Sequence, residues 1–147
     1  MGVKMTTTTI EATFRLAETS DFEIIREWYA KRGMVMDDDF NPADFLPVDS
    51  TFIMEIDGRP AYCVPIFLTN ANRVYLDDLI SDPDLTKEKR QGALAEFQKF
   101  VEKWVADKGF DLIYGEVEHG TKLFDLYKSL GYITVKSNVN SIVKVVE

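Results

Sequence analysis

Leu126-Tyr127-Lys128-Ser129-Leu130-Gly131-Tyr132 is the stretch whose reading decides the fold. It reads as the end of a helix, a glycine stop and the start of a strand. Glycine fits the left-handed position that commonly follows a last helical turn. A helix that stops on glycine and gives way to a strand belongs to a chain that mixes both element types, so the neighbouring elements carry the test.

Working back from it, residues 121–130 form a short helix with Leu123, Phe124, Tyr127 and Leu130 on its apolar side. Residues 110–118 read as a strand with Gly115 inside. Residues 86–108 are the longest helical pattern: Leu94, Phe97, Val101 and Trp104 recur every three or four positions, and Phe100 and Val105 widen the stripe. Residues 74–80 read as a strand, broken by Ser81-Asp82-Pro83-Asp84. Residues 51–56 and 59–68 are β-rich runs joined at Asp57-Gly58, a strong hairpin signal because both turn residues need positive φ. Pro60 and Pro65 lack a ladder donor, so the second run is expected to be bulged or near an edge.

Nearer the start, residues 13–16 begin a strand. Ser20-Asp21-Phe22-Glu23 has the form of a capping box, opening a helix that runs to Arg32 before Gly33. Residues 34–48, with Asp37, Asp38 and Asp39, read as a loop with one helical turn near 42–46. Beyond Gly131, residues 133–135 and 141–146 alternate as a final pair of strands. The fold class is therefore α/β, or α+β, with a mixed sheet and helices packed on it.

At 147 residues the chain is expected to be one domain, residues 13–147, behind a flexible tail of residues 1–12. The 46% hydrophobic and 12% aromatic fractions support a real core. A net charge of −8 argues against general nucleic-acid binding, which needs clustered Lys and Arg. Cys63 is the one cysteine and sits in an apolar run, so it reads as an inert core thiol and no internal disulfide forms. No apolar run reaches the ~18 residues of a membrane span, and no secretory signal is visible, so the expected location is cytoplasmic. One Cys and one His exclude a Cys/His zinc site. Asp77, Asp78, Asp82 and Asp84 lack EF-hand spacing because Pro83 and Leu85 interrupt it.

The element order, with the 126–132 stretch, resembles the GNAT superfamily of N-acetyltransferases over about residues 13–146. Residues 126–132 are similar to the family's "Leu-Tyr-Glu-Lys-Leu-Gly-Phe" signature. Phe14-Arg15-Leu16-Ala17 followed by Asp21 looks like its opening strand and helix. Asp57-Gly58-Arg59-Pro60-Ala61 sits where the family often has Asp-Gly-Lys/Arg-Pro-Val-Gly, and residues 79–83 look like the end of its fourth strand. The resemblance implies a GNAT-like acyl-CoA N-acyltransferase fold, with a central, mostly antiparallel sheet flanked by helices.

It also implies a site. A turn after the fourth strand would hold the pyrophosphate of acetyl-CoA on backbone N–H groups at a helix N-terminus. This places Ile80, Lys87, Lys89, Arg90, Gln91 and Gly92 on the cofactor side. The family's glycine pattern is matched in neither register: Lys89 with Gly92 puts Leu94 at a small position, and Arg90 brings Ala93 and Ala95. Lys87, Lys89 and Arg90 nevertheless gather three cations at a helix start, where positive charge opposes the helix dipole, so a bound anion would explain them.

By the same resemblance, Tyr127 matches the tyrosine that protonates the departing thiolate, a task for a weak acid near the sulfur. Gly120 stands where the family often has asparagine. His119, whose ordinary pKa suits a general base, and Asp78 are the base candidates, with Asp77, Glu116 and Glu118 as further carboxylates. The implied activity is direct attack of an amine on acetyl-CoA. The acceptor would be a small amine or a protein amine, and a homodimer or protein partner is a further option. The competing reading is a non-catalytic GNAT-fold binding or assembly protein, phage-like in its eroded cofactor loop.

Overall fold

The computed structural model describes residues 10–33, 42–77, 79–117, 120–140, 142, 144 and 146. The chain divides into two compact units, residues 1–115 and 116–147. The first is organised by the expected hairpin. Strands β2 (Thr51–Ile56) and β3 (Arg59–Leu68) pair antiparallel through Asp57 and Gly58, whose φ values of 52° and 83° are the positive angles such a turn needs.

Strand β1 (Ala12–Leu16) lies on the outer side of β2, and β4 (Arg73–Leu76) pairs antiparallel with β3. Strand β6 (Leu112–Gly115) runs parallel to β4, giving the order β1-β2-β3-β4-β6. The short β5 (Ile80–Ser81) also pairs with β3.

Strand β3 is central, and the ladder on each side of it is interrupted by a bulge. Towards β2, Met54 pairs with Tyr62 but Glu55 with Pro60, leaving Ala61 as an extra residue. On the other side, Ile66 pairs with Leu76 and Cys63 with Ile80. Three steps along β3 therefore match four along the partner chain. Backbone alternation gives the reason. Ile66 donates its N–H to Ser50 on the β2 side, so Pro65 faces the β4–β5 side, where it has no N–H to offer. The strand expected over residues 74–80 is split there into β4 and β5.

Both faces of the sheet are covered, which is why β2 is buried almost throughout. Helix α3 (Lys87–Asp107) lies on one face. Its buried residues Ala93, Phe97, Val101 and Val105 recur every four positions, and they pack with Phe52, Met54, Val64, Ile66 and Val74. Leu94 and Trp104, expected in the stripe, flank it half-buried. Helices α1 (Asp21–Lys31) and α2 (Pro42–Phe45) belong to the opposite face. There Ile25, Trp28, Tyr29 and Leu46 meet Ile53, Cys63 and Ile80. Cys63 is fully buried in this cluster.

Two local expectations change. Ser20 is already in helical conformation and its side chain caps nothing, so no capping box forms. The carboxylate of Asp21 serves the helix start instead, accepting the Glu18 N–H at 2.7 Å. Strand β6 stops at Gly115 rather than reaching residue 118.

In the second unit, helix α4 (Lys122–Ser129) starts at Thr121, whose hydroxyl accepts the Phe124 N–H at 3.3 Å. It ends as the sequence implied. Gly131 has φ 96°, its N–H bonds Lys128 O, and the Tyr132 N–H bonds Tyr127 O. The final strand pair is not found among the described residues. Residues 131–140, 142, 144 and 146 pair in no ladder, and Ile133, Val135, Ile142 and Val146 are exposed. Over residues 133–135 alternation alone does not make a strand, because no described residue takes up its ladder bonds; residues 141, 143 and 145 lie outside the described residues.

Candidate functional site

The bulge opposite Pro65 has a consequence for ligand access. Parallel pairing of β4 with β6 ends at Leu76 and Gly115, and among the described residues β5 pairs only with β3. Among the described residues the other edge of β5 carries no strand. Asp82 donates its N–H to Ala61 O of β3, so by alternation Ile80 also faces β3 and Ser81 faces the open edge. The Ile80 side chain is buried beside Cys63. Ser81 is therefore the residue that presents backbone at this edge, and neither propensity nor the resemblance marked it.

The β5–α3 connection is tied down from two directions. Asp82 accepts the Asp84 N–H at 2.9 Å, and the end of α1 reaches across to it. Lys31 pairs with Asp84 at 3.2 Å, which raises the lysine pKa. Arg32, just past α1, donates to Ser81 O at 2.9 Å and to Ser81 Oγ at 2.7 Å.

Helix α3 then begins at Lys87, with Thr86 as N-cap accepting the Lys89 N–H at 3.3 Å. Lys87, Lys89, Arg90, Gln91 and Gly92 thus all lie in the first two turns of a helix, not in a loop. The Arg90 N–H already bonds Thr86 O. Only the N–H groups of the first turn, those of Lys87 and Glu88, are left without helical or cap partners. Gly92 faces Ile10, and an added Cβ would sit 3.5 Å from that side chain, an ordinary contact.

The three cations separate. Lys89 pairs with Asp57 at the hairpin turn at 3.5 Å. Lys87 and Arg90 have no carboxylate partner among the described residues, and neither does Arg32. Beside them lies Tyr62, directly opposite Ser81 in the ladder and only 8% exposed. Burial raises the Tyr62 phenol pKa, and the charges of Arg90 and Arg32 pull against that rise.

Tyr127 is half-buried in α4 and packs edge-on against Tyr132, ring centroids 5.0 Å apart. Asp77 and Glu116 are exposed. Asp78, Glu118 and His119 lie outside the described residues, as do Asp37, Asp38 and Asp39. Among the described residues no cluster of His, Cys, Asp and Glu could hold a metal ion, and no helix is long and apolar enough to cross a membrane.

A mixed sheet split at its fourth strand, with helices on both faces, is the fold of GNAT acetyltransferases, and solved structures of that family superpose on this chain. Aminoglycoside N-acetyltransferase AAC(6')-Iy in complex with CoA matches with a TM-score of 0.67 at 16% identity, covering 93% of this chain and 97% of its own. Ard1 from Thermoplasma volcanium matches with a TM-score of 0.69 at 12% identity, covering 85% and 84%. The GNAT family protein SP0256 from Streptococcus pneumoniae TIGR4 gives 0.64 at 12%, covering 93% and 98%. No protein-family model and no curated protein matches the sequence.

Proposed function

We propose that this chain is an acyl-CoA-dependent N-acetyltransferase. The observation that carries the reading is the edge of β5 that is open among the described residues, beside a helix start whose cations Lys87 and Arg90 have no carboxylate partner among them. An extended, amide-bearing arm ending in phosphates matches both halves: a strand edge for its amides and positive charge for its anion. Acetyl-CoA has that form, and AAC(6')-Iy carries CoA on the same fold.

Acetyl-CoA supplies an activated thioester. In this reading Ser81 offers its N–H to the arm. Lys87 and Arg90, with the free N–H groups of the first turn of α3, hold the diphosphate; Lys89 and Gln91 flank them, and Gly92 gives close packing on Ile10. Ile80 anchors β5 through its core side chain. Tyr127 gives a proton to the departing thiolate, and Asp78 or His119 takes one from the attacking ammonium. The acceptor is an amine, consistent with an acidic protein. AAC(6')-Iy is also solved with a bisubstrate analogue of CoA and acetylneamine, which supports a small polyamine as the acceptor class.

One observation favours a second reading, a non-catalytic binding protein. The helix starts at Lys87, so the backbone around Gly92 is used within α3 and cannot cradle a phosphate as a glycine-rich turn would. Incubation with acetyl-CoA and a panel of polyamines, following free thiol, separates the two. Thiol release that depends on the amine supports the enzyme, and binding without release supports the alternative.

A further inference from the structure

We infer that two copies of this chain pair edge to edge through β1, about a two-fold axis at Phe14, and lay their α3 helices side by side. Among the described residues β1 is hydrogen-bonded to β2 alone, so its other edge carries no strand. The Asp57 N–H bonds Glu11 O, and the Ala17 N–H bonds Thr51 O. By alternation Ala12, Phe14 and Leu16 turn their backbone groups outward.

That edge has none of the usual guards against another chain. It holds no proline, no lysine and no bulge. Its one charged residue, Arg15, is held by Asp21 and Glu55 on the face away from α3. The outward residues share the α3 face. Ala12 and Phe14 pack against the core there, Phe14 stacks on Phe100 with ring centroids 4.1 Å apart, and Leu16 is left 49% exposed. Antiparallel pairing centred on Phe14 sets Phe14 beside the partner's Phe14. It also sets Leu16 beside the partner's Ala12, a large side chain against a small one. The exposed Leu16 is thereby covered.

A second, independent mark lies on α3. The helix runs along β1, with Gly92 against Ile10 and Phe100 against Phe14. Of the strands, β1 and β2 come nearest to it. The two-fold therefore brings the helix axes about two strand spacings apart, roughly 10 Å, a distance at which helices pack.

Glu96, Phe100, Lys103 and Asp107 form one stripe along α3, on the side that Phe100 turns to β1. With the axis level with Phe100, Glu96 faces the partner's Lys103, and Lys103 faces the partner's Glu96. Opposite charges thus meet on both sides of the axis. Lys99 and Asp107 stay with their own chain, Lys99 on Glu96 at 3.6 Å and Asp107 on Lys103 at 2.9 Å. The β5 edge is separated from β1 by β2 and β3 and stays free, so the pairing stands apart from the function proposed above.

Analytical ultracentrifugation of the full chain across a dilution series is the test. It compares wild type with Leu16→Lys, Glu96→Lys, Lys103→Glu and the double variant Glu96→Lys/Lys103→Glu. Far-UV circular dichroism checks that each variant folds. The wild type sediments as a dimer. Leu16→Lys puts a charge at the edge and gives monomer. Each single charge reversal weakens dimerisation about tenfold or more, and the double variant, whose pairs are opposite again, recovers to within a few-fold of wild type. A wild type that stays monomeric at the highest concentration overturns the proposal. So does a dimer that a folded Leu16→Lys leaves intact, and so do single reversals that have no effect or that the double variant fails to rescue.

Discussion

Arg15 and Asp21 are joined by two parallel hydrogen bonds, Nη1 to Oδ2 at 2.7 Å and Nη2 to Oδ1 at 2.9 Å. The pair ties β1 to the start of α1, and Asp21 is buried while Arg15 is half-exposed and also bonds Glu55. The Arg15 guanidinium lowers the Asp21 pKa, against a burial effect that would raise it. Arg15→Met leaves a buried carboxylate unpaired and should cost about 2–3 kcal/mol at pH 7. A carboxylate whose folded pKa is depressed stabilises above its unfolded pKa, near 3.9, and loses that contribution as pH falls through the folded value. Urea unfolding of wild type and variant should therefore show a gap at pH 7 that narrows below pH 4. A gap independent of pH would contradict this.

Phe97 is 1% exposed at the centre of the α3 stripe. Phe97→Ala should cost about 3–5 kcal/mol, read as a lower denaturant midpoint at unchanged slope. A loss under 1 kcal/mol would show that α3 does not hold this face.

Gly58 has φ 83° with nothing near where a Cβ would stand. Gly58→Ala thus costs only conformational strain, about 1 kcal/mol. Thermal unfolding should register it as a fall of a few degrees.

Tyr127 lies in the last turn of α4, ahead of the Gly131 stop, and its proposed task is proton donation. Tyr127→Phe keeps the ring and its packing on Tyr132 and removes the hydroxyl. Turnover should fall by roughly 10²–10⁴-fold with acetyl-CoA affinity little changed. Unchanged turnover would remove Tyr127 from the mechanism.

Elements that carry their own local signal were legible in the sequence. The Asp57-Gly58 turn, the 51–56 and 59–68 strands and the Gly131 stop are found as read, because the backbone angles they need are written in residue type. The split of the fourth strand was half-visible: Pro65 announced a bulge, but its place between the Leu76 and Ile80 pairings depends on long-range pairing. The strand expected over residues 133–135 is not formed, because alternation records an apolar side without supplying a partner; the strand expected over residues 141–146 lies largely outside the described residues. On the site, the cations before α3 were visible as a run. That Lys89 pairs with Asp57 while Arg32 arrives from the end of α1 could not be read, since those neighbours are far apart in sequence.

Calorimetric titration of the wild-type protein with acetyl-CoA tests the central claim most directly. The account predicts one saturable site with a dissociation constant between about 1 μM and 1 mM, the usual range for an enzyme's substrate. At a hundred times that constant, stabilisation should reach about 2.7 kcal/mol and appear as a raised unfolding temperature. Absence of both heat and thermal shift at millimolar acetyl-CoA would contradict it.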